Sequence, residues 1–165
     1  MKGSVDAVVA LGSNLGDSEK VIAWAFDKLS TLSMTPLRQS SLWRTEPEQC
    51  PEGSPPFLNA VALLSVSVDM TPERLLSILK QWEIESGRLP KRVMNEARVL
   101  DLDLISFGQE FRSGPDLTLP HPRAHTREFV LGPLAEVQPG YVIPGQTRNV
   151  SELLRMLRQP GNERL

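Results

Sequence analysis

Leu64-Ser65-Val66-Ser67-Val68-Asp69-Met70-Thr71-Pro72 is the stretch that decides the fold, because the periodicity changes inside it. Leu64 to Val68 alternate apolar and small polar residues with period two, the mark of a half-buried strand that starts near Phe57. Thr71 then reads as an N-cap and Pro72 as the first helical residue, where a missing N–H costs nothing. Leu75, Leu76, Ile78, Leu79, Trp82 and Ile84 follow at helical spacing, and Gly87 is a natural stop. A strand hands over directly to a helix.

The flanks extend this unit in both directions. Towards the N-terminus, Val5–Leu11 is an apolar run ending in Gly12-Ser13-Asn14, a buried strand running into a loop. Asp17 or Ser18 caps a helix whose stripe is Val21, Trp24, Ala25, Lys28 and Leu29. Leu37–Thr45 is strand-like, and residues 46–56, with four prolines and a glycine, form an irregular loop. Beyond Gly87, residues 89–97 are a basic loop, Val99–Ile105 is a strand and residues 115–122 are a Pro-rich loop. Helices are expected near Arg127–Val137 and from Asn149, where Glu152 completes a capping box. Strand, helix, strand, strand, helix, strand is the split βαβ order of a ferredoxin-like α+β core, an antiparallel sheet with both helices on one face. C-terminal helices add to it. With no repeat, low-complexity tract or linker, residues 1–165 are expected to form one domain.

Composition excludes several classes. The chain has 165 residues, 40% hydrophobic and 23% charged, enough for one core without disulfide or metal. A net charge of −2 argues against duplex DNA or an anionic membrane as partner. Cys50 is the only cysteine, so no internal disulfide framework exists. No apolar stretch approaches the ~18 residues of a membrane span, and Val5–Leu11 is too short for a signal peptide, so a cytoplasmic location is expected. Among the cations, 13 Arg outnumber 5 Lys. Guanidinium forks suit phosphate and carboxylate, although a GC-rich genome gives the same bias.

The chemistry concentrates in Arg98-Val99-Leu100-Asp101-Leu102-Asp103. On a strand, residues i and i+2 share a face, so the two carboxylates project together about 7 Å apart at the backbone. Buried side by side they would repel unless a cation neutralised them, and paired hard oxygens suit Mg²⁺, which also takes substrate phosphates. The bland alternative is a solvated face, or pairing with Arg88 and Arg98. Upstream, Arg88, Lys91, Arg92 and Arg98 against Glu96 leave a local charge of +3. This is either a solvated loop or the basic half of a phosphoryl-transfer site.

Other candidates are weaker. Gly12-Ser13-Asn14-Leu15-Gly16 matches no phosphate-binding fingerprint and reads as a glycine that lets a flat ligand approach the backbone. Phe57 and Phe129 are core residues by default and platforms for a planar substrate otherwise. Asn59, on the same side as Phe57, offers a paired donor and acceptor to a heterocycle edge. His121 is a loop histidine that is solvated by default or reaches a phosphate, and with His125 and no nearby cysteine it makes no zinc site. Asn149-Val150-Ser151 is a sequon without meaning in a cytoplasmic protein.

From Val8 to about Leu157 the motifs together resemble the 6-hydroxymethyl-7,8-dihydropterin pyrophosphokinase family. The resemblance rests on Leu11-Gly12-Ser13-Asn14-Leu15-Gly16, Trp43-Arg44-Thr45, Phe57-Leu58-Asn59-Ala60, Glu83 to Arg88, Arg98 to Leu104, Pro120-His121-Pro122-Arg123 and Arg127-Glu128-Phe129. It implies transfer of the β,γ-diphosphate of ATP to the pterin hydroxymethyl oxygen, with release of AMP, in folate biosynthesis. It further implies that Asp101 and Asp103 hold two Mg²⁺ ions, and that Arg88 and Arg98 stabilise the transferring group. Glu83, Leu104, His121 and Arg127, with Arg88 and Arg98, would contact ATP. Phe57 and Phe129 would sandwich the pterin, with Gly12, Thr45, Glu46 and Asn59 around it. The expected partners are small molecules only, met by a monomer.

The chain departs from the family pattern at Glu46, Pro90, Asn95, Glu96-Ala97 and Pro122, all in loops. These departures bear on loop closure and substrate preference. They leave two alternatives: a relative acting on another hydroxylated heterocycle, and a non-catalytic ferredoxin-like binding module. Asp101, Asp103, Arg88 and Arg98 together speak against the module.

Overall fold

The computed structural model describes residues 3–14, 16–45, 56–87 and 99–158. The elements run β1 (Ser4–Ser13), α1 (Ser18–Ser30), β2 (Arg38–Gln39), β3 (Trp43–Thr45), β4 (Phe57–Ser67), α2 (Pro72–Glu85) and β5 (Asp101–Phe107). A small hairpin of β6 (Arg112–Ser113) and β7 (Thr118–Leu119), a 3-10 turn at Ala124–Thr126, α3 (Glu128–Val137) and α4 (Val150–Arg158) complete the chain.

The main sheet has the order β2-β4-β1-β5, with β3 also paired to β4, and every pairing is antiparallel. Helices cover both faces. Ile22, Ala25, Phe26 and Leu29 of α1 join Leu75, Leu79 and Trp82 of α2 in one core. Val130, Leu131 and Leu134 of α3 and Val150 of α4 belong to a second core across the sheet, with Val8, Val61, Leu63 and Ile105. The protein is therefore an α+β structure, α1 and α2 on one side and α3 and α4 on the other.

The local stop and start signals act as the sequence indicates. Asp17 accepts from the Lys20 N–H at 3.2 Å, and Thr71 Oγ1 accepts from the Arg74 N–H at 3.1 Å. Asn149 and Glu152 bond reciprocally, at 2.9 and 3.0 Å, as a capping box. Gly87 follows α2 at φ +101, a conformation that disfavours any side chain.

Where expectation and structure differ, tertiary placement is the reason. β1 continues through Gly12 and Ser13, because both still pair with β4. The strand expected over Leu37–Thr45 is broken into β2 and β3 at Ser40. There Ser40 N–H donates to the Val61 carbonyl and Ser40 Oγ accepts from the Val61 N–H, both at 2.9 Å. β4 is buried on both faces rather than one, since it lies inside the sheet between the two helical layers; even Ser65 is buried, its hydroxyl donating to Asp6. The buried stripe of α1 keeps Ala25 and Leu29 of the expected set but takes Ile22 and Phe26 in place of Val21, Trp24 and Lys28, and Lys28 sits 5.5 Å from the Trp24 ring centroid. Ile84 is 63% exposed. Finally, β5 begins at Asp101 and runs to Phe107, two residues later than expected at each end.

Candidate functional site

Cross-strand register assembles the site. Trp43 pairs with Asn59, Asn59 with Gly12, and Gly12 with Asp101, so these four form one row across β3, β4, β1 and β5. Directly opposed residues present their side chains to the same face. Asn59 alternates with Val61 and Leu63, and Asp101 with Asp103, so the row lies on the α3 side of the sheet. Thr45 pairs with Phe57 in the neighbouring row, on that same face. Six expected site residues, Gly12, Thr45, Phe57, Asn59, Asp101 and Asp103, therefore share one end of one face.

Within this group Asn59 is buried and its Nδ2 donates to Thr45 Oγ1 at 2.7 Å. That bond turns Oδ1 towards Gly12, where an added Cβ would lie 3.4 Å from it. An amide acceptor and a hydroxyl that still has a proton to donate are thus held side by side, suited to the polar edge of a heterocycle. Because Gly12 has no side chain, the floor from Asn59 to Asp101 is open across two interstrand spacings, about 10 Å.

The aspartates are less enclosed than the apolar run around them implies. Leu100, Leu102 and Leu104 all point to the α1/α2 core, which leaves Asp101 half-buried and Asp103 exposed on the opposite face. Alternation on one strand, rather than a solvated strand end, separates the two environments. The Leu104 side chain is part of that core, so only its backbone can face a ligand. Two carboxylates on one face supply an oxygen-only donor set for a hard divalent cation whose remaining ligands are water and phosphate. Among the described residues no third His, Cys, Asp or Glu joins them in a metal-holding group.

Glu83 sits beneath this strand. It is 8% exposed, and its Oε2 accepts from the Leu102 N–H at 2.7 Å. Since β5 is the sheet edge on this side, α2 supplies an acceptor that a neighbouring strand would otherwise provide. Glu83 holds the backbone between the two aspartates rather than pointing at solvent.

A cluster of cations stands beside them. Burial pushes the Arg127 guanidinium below its ordinary pKa, Arg123 adds to the shift and Asp103 opposes it. His121 is also pushed down, by burial first and then by Arg127 and Arg123. Its Nδ1 accepts from the Arg123 N–H at 3.2 Å, so the neutral ring carries its proton on Nε2. The His121 N–H donates to the Ile105 carbonyl at 2.8 Å and ties this loop to β5. Arg127 lies 5.4 Å from the ring centroid of Phe129, which is 37% exposed. Arg123 is the residue that sequence reasoning missed; its only signal was its place in Pro120-His121-Pro122-Arg123. Arg88, Arg98 and Glu46, with the rest of residues 46–55 and 88–98 and so Pro90, Asn95, Glu96 and Ala97, lie outside the described residues.

A concavity of about 730 Å³ at the other end of the sheet, lined by Val5, Val68, Met70, Phe107, Gly108 and Arg112 among others, contains none of these groups. Its arginine already bonds Glu73 at 2.6 Å and Glu110 at 2.9 Å. This concavity carries none of the chemistry, and the charged sheet end is the better site.

The model of the 7,8-dihydro-6-hydroxymethylpterin-pyrophosphokinase (HPPK) family matches residues 8–139. A 2-amino-4-hydroxy-6-hydroxymethyldihydropteridine pyrophosphokinase of Haemophilus influenzae is 36% identical over 152 residues, 92% of either chain. Its counterpart from Pseudomonas aeruginosa is 37% identical over 158 residues, covering 95% of this chain and 94% of its own. Among solved structures, an HPPK-DHPS in complex with substrates matches 94% of this chain with a TM-score of 0.71 at 10% identity. A Plasmodium falciparum HPPK-DHPS crystallised with pterin and p-hydrobenzoate gives a TM-score of 0.65 at 13% identity. This chain covers 45% and 44% of those two chains, and at such identity they speak to the fold alone. The chain belongs to the HPPK family, whose members are pyrophosphokinases.

Proposed function

We infer that this chain transfers diphosphate from ATP to the hydroxymethyl group of 6-hydroxymethyl-7,8-dihydropterin and releases AMP, a step of folate synthesis. One observation carries the reading of the site: Asn59, Gly12 and Asp101 stand in one row on one sheet face. The row sets a reader of heterocycle edges and a carboxylate pair at the two ends of a bare floor. A pterin lying along it has its polar edge on Asn59 and Thr45 and its hydroxymethyl group at Asp101. Phe57 from below and Phe129 from the α3 side enclose the rings, and the family resemblance assigns Glu46 to the same substrate.

The pterin hydroxyl oxygen attacks the β-phosphorus and gives its proton to solvent, while the bond from that phosphorus to the α,β-bridging oxygen breaks and AMP departs with that oxygen. Asp101 and Asp103 would hold two Mg²⁺ ions. Bound there, the metal supplies neutralisation of the triphosphate and acidification of the hydroxyl. The protein's own part is positioning and charge. Glu83 keeps the two carboxylates in register through the Leu102 N–H. Arg127 is a desolvated cation crowded by Arg123, so an anionic triphosphate relieves both penalties. His121 donates from Nε2 to a phosphate oxygen. Arg88 and Arg98 take the charge that develops on the transferring group, and the Leu104 backbone serves the nucleotide. The frame is a ferredoxin-like βαββαβ core acting as a single-domain, cytoplasmic monomer. No helix among the described residues is long and apolar enough to cross a membrane.

The test is AMP release from Mg-ATP with and without 6-hydroxymethyl-7,8-dihydropterin. Pterin-dependent AMP, with one diphosphorylated pterin per AMP, supports the reading. AMP formation that ignores the pterin overturns it.

A further inference from the structure

We propose that Glu136, acting through Trp43, is a positioning residue that sets the spacing between the two halves of the pterin pocket. The inference rests on the pterin reading above and extends it to residues outside the pocket.

The pocket has a sheet half and a helix half. Thr45, Asn59 and Phe57 belong to β3 and β4, whereas Arg127 and Phe129 stand at the start of α3. β3 is three residues long and, among the described residues, pairs with β4 alone, so its strand hydrogen bonds cannot fix its distance from the helix. Glu136, in the last turns of α3, closes that gap. Its Oε1 accepts from Trp43 Nε1 at 3.0 Å and from Ser41 Oγ at 2.8 Å, while its Oε2 accepts from the Ser41 N–H at 2.9 Å. These donors, chiefly the Trp43 indole, hold the Glu136 carboxyl below its ordinary pKa against the opposing effect of burial.

The indole is held a second time, through its face. Gly132 lies one helical turn before Glu136, on the same side of α3. A Cβ built on Gly132 would come within 2.5 Å of Trp43 Cζ3 and 2.6 Å of Cη2. The ring therefore packs directly on the helix backbone. A glycine inside a helix is destabilising relative to alanine, and this contact explains why one stands here. Gly132 is also three residues from Phe129, so the point at which Trp43 touches α3 is within a turn of the aromatic platform. Trp43 itself opens the Asn59–Gly12–Asp101 row. One side chain thus links the row that reads the pterin edge to the helix that bears the stacking ring.

The chemistry separates two kinds of damage. In Glu136→Gln, one oxygen still accepts from Trp43 and Ser41 Oγ, but an amide N–H₂ now opposes the Ser41 N–H. In Trp43→Phe, the ring still packs on Gly132 and only the Nε1–H bond is lost. Both variants keep every group that touches substrate.

The experiment compares wild type, Glu136→Gln, Glu136→Ala, Trp43→Phe and Trp43→Phe/Glu136→Gln by calorimetric binding. Pterin is titrated at saturating Mg²⁺ and α,β-methylene-ATP, whose α–β bridge cannot be cleaved, and the nucleotide analogue is titrated separately. Expected is a rise in pterin Kd of roughly tenfold for Glu136→Ala, the scale of a sub-ångström misplacement, with a smaller rise for Glu136→Gln. Nucleotide Kd stays within twofold, and the double variant loses no more than its worse parent. Pterin Kd unchanged in Glu136→Ala overturns the proposal. So does an equal loss for both ligands with a fall in Tm, which denotes general destabilisation. If the wild-type protein binds no pterin, the functional reading falls and the positioning role falls with it. Wild-type binding with indifferent variants removes only the positioning role.

Discussion

The two faces of one sheet are built by different rules. On the α1/α2 face, leucines of β5 meet Ile22, Phe26 and Leu29 of α1 and Leu75 and Leu79 of α2, and the one charged intruder among the described residues, Glu83, accepts from the Leu102 N–H. On the α3 face, the same strands present Asn59, Gly12, Asp101 and Asp103 at one end and Val8, Val61 and Leu63 further along. One face is apolar core apart from Glu83; the other changes from core to site along the length of each strand. Reactive groups can thus be exposed without loosening the strand that carries them, because its opposite side chains are anchored in a closed core.

The largest break in this contrast is expected from Asp103→Ala. Turnover, followed as AMP release, falls by at least about 10³-fold, the scale of removing a group that organises transition-state charge. The side chain is exposed, so Tm changes by no more than a surface substitution allows, about 0.5 kcal/mol in stability. Retained turnover would remove the carboxylate pair from the mechanism. Leu79→Ala is the mirror experiment on the other face: a fully buried side chain is lost, stability falls by about 2–5 kcal/mol in denaturant titration, and activity per folded molecule is unchanged.

Gly12→Ala probes the floor between the two ends of the site. The new methyl meets Asn59 Oδ1 at ordinary contact distance, so the fold tolerates it. The KM for pterin is expected to rise about tenfold at nearly constant Tm, because the obstructed volume is the ligand's. Equal KM values would place the pterin elsewhere.

His121 gives a pH-dependent measure of the charged end. Burial, Arg127 and Arg123 hold it neutral, so in the free protein it titrates below the ordinary value of about 6.5. A bound triphosphate favours the imidazolium and raises that pKa. The bound state then carries more protons, so nucleotide affinity increases as pH falls between the bound and free values. NMR titration of the His121 ring with and without Mg-ATP checks the sign, and a pKa that nucleotide leaves unmoved separates His121 from the phosphates. The smallest effect belongs to a purely local device: Thr71→Ala removes the cap on the Arg74 N–H and costs about 1 kcal/mol by denaturant titration, without touching kinetics.

How much of this was legible depends on sequence separation. Asp17, Thr71 and the Asn149–Glu152 pair act within three residues of themselves, so composition and spacing reveal them. The pairing of Asp101 with Asp103 is likewise a property of any strand. In α1 the spacing identifies Ala25 and Leu29, but Val21, Trp24 and Lys28 fit it as well as Ile22 and Phe26 do; the sheet beneath chooses between them. Glu83 bonds a backbone 19 residues away, and Trp43 bonds a carboxylate 93 residues away. No periodicity encodes either contact.

By itself the sequence determined the element order, the caps, the shared side of the two aspartates and, through its motifs, the family. Those depend on backbone geometry within a few residues, where the chain has few conformations to choose from. Only the tertiary structure decided that the aspartates stand clear of the apolar core, that Asn59 and Gly12 share their row, and that Arg123, Arg127 and His121 crowd beside them. Each of those outcomes depends on register between strands or on charge across space, and both exist only once distant segments have met.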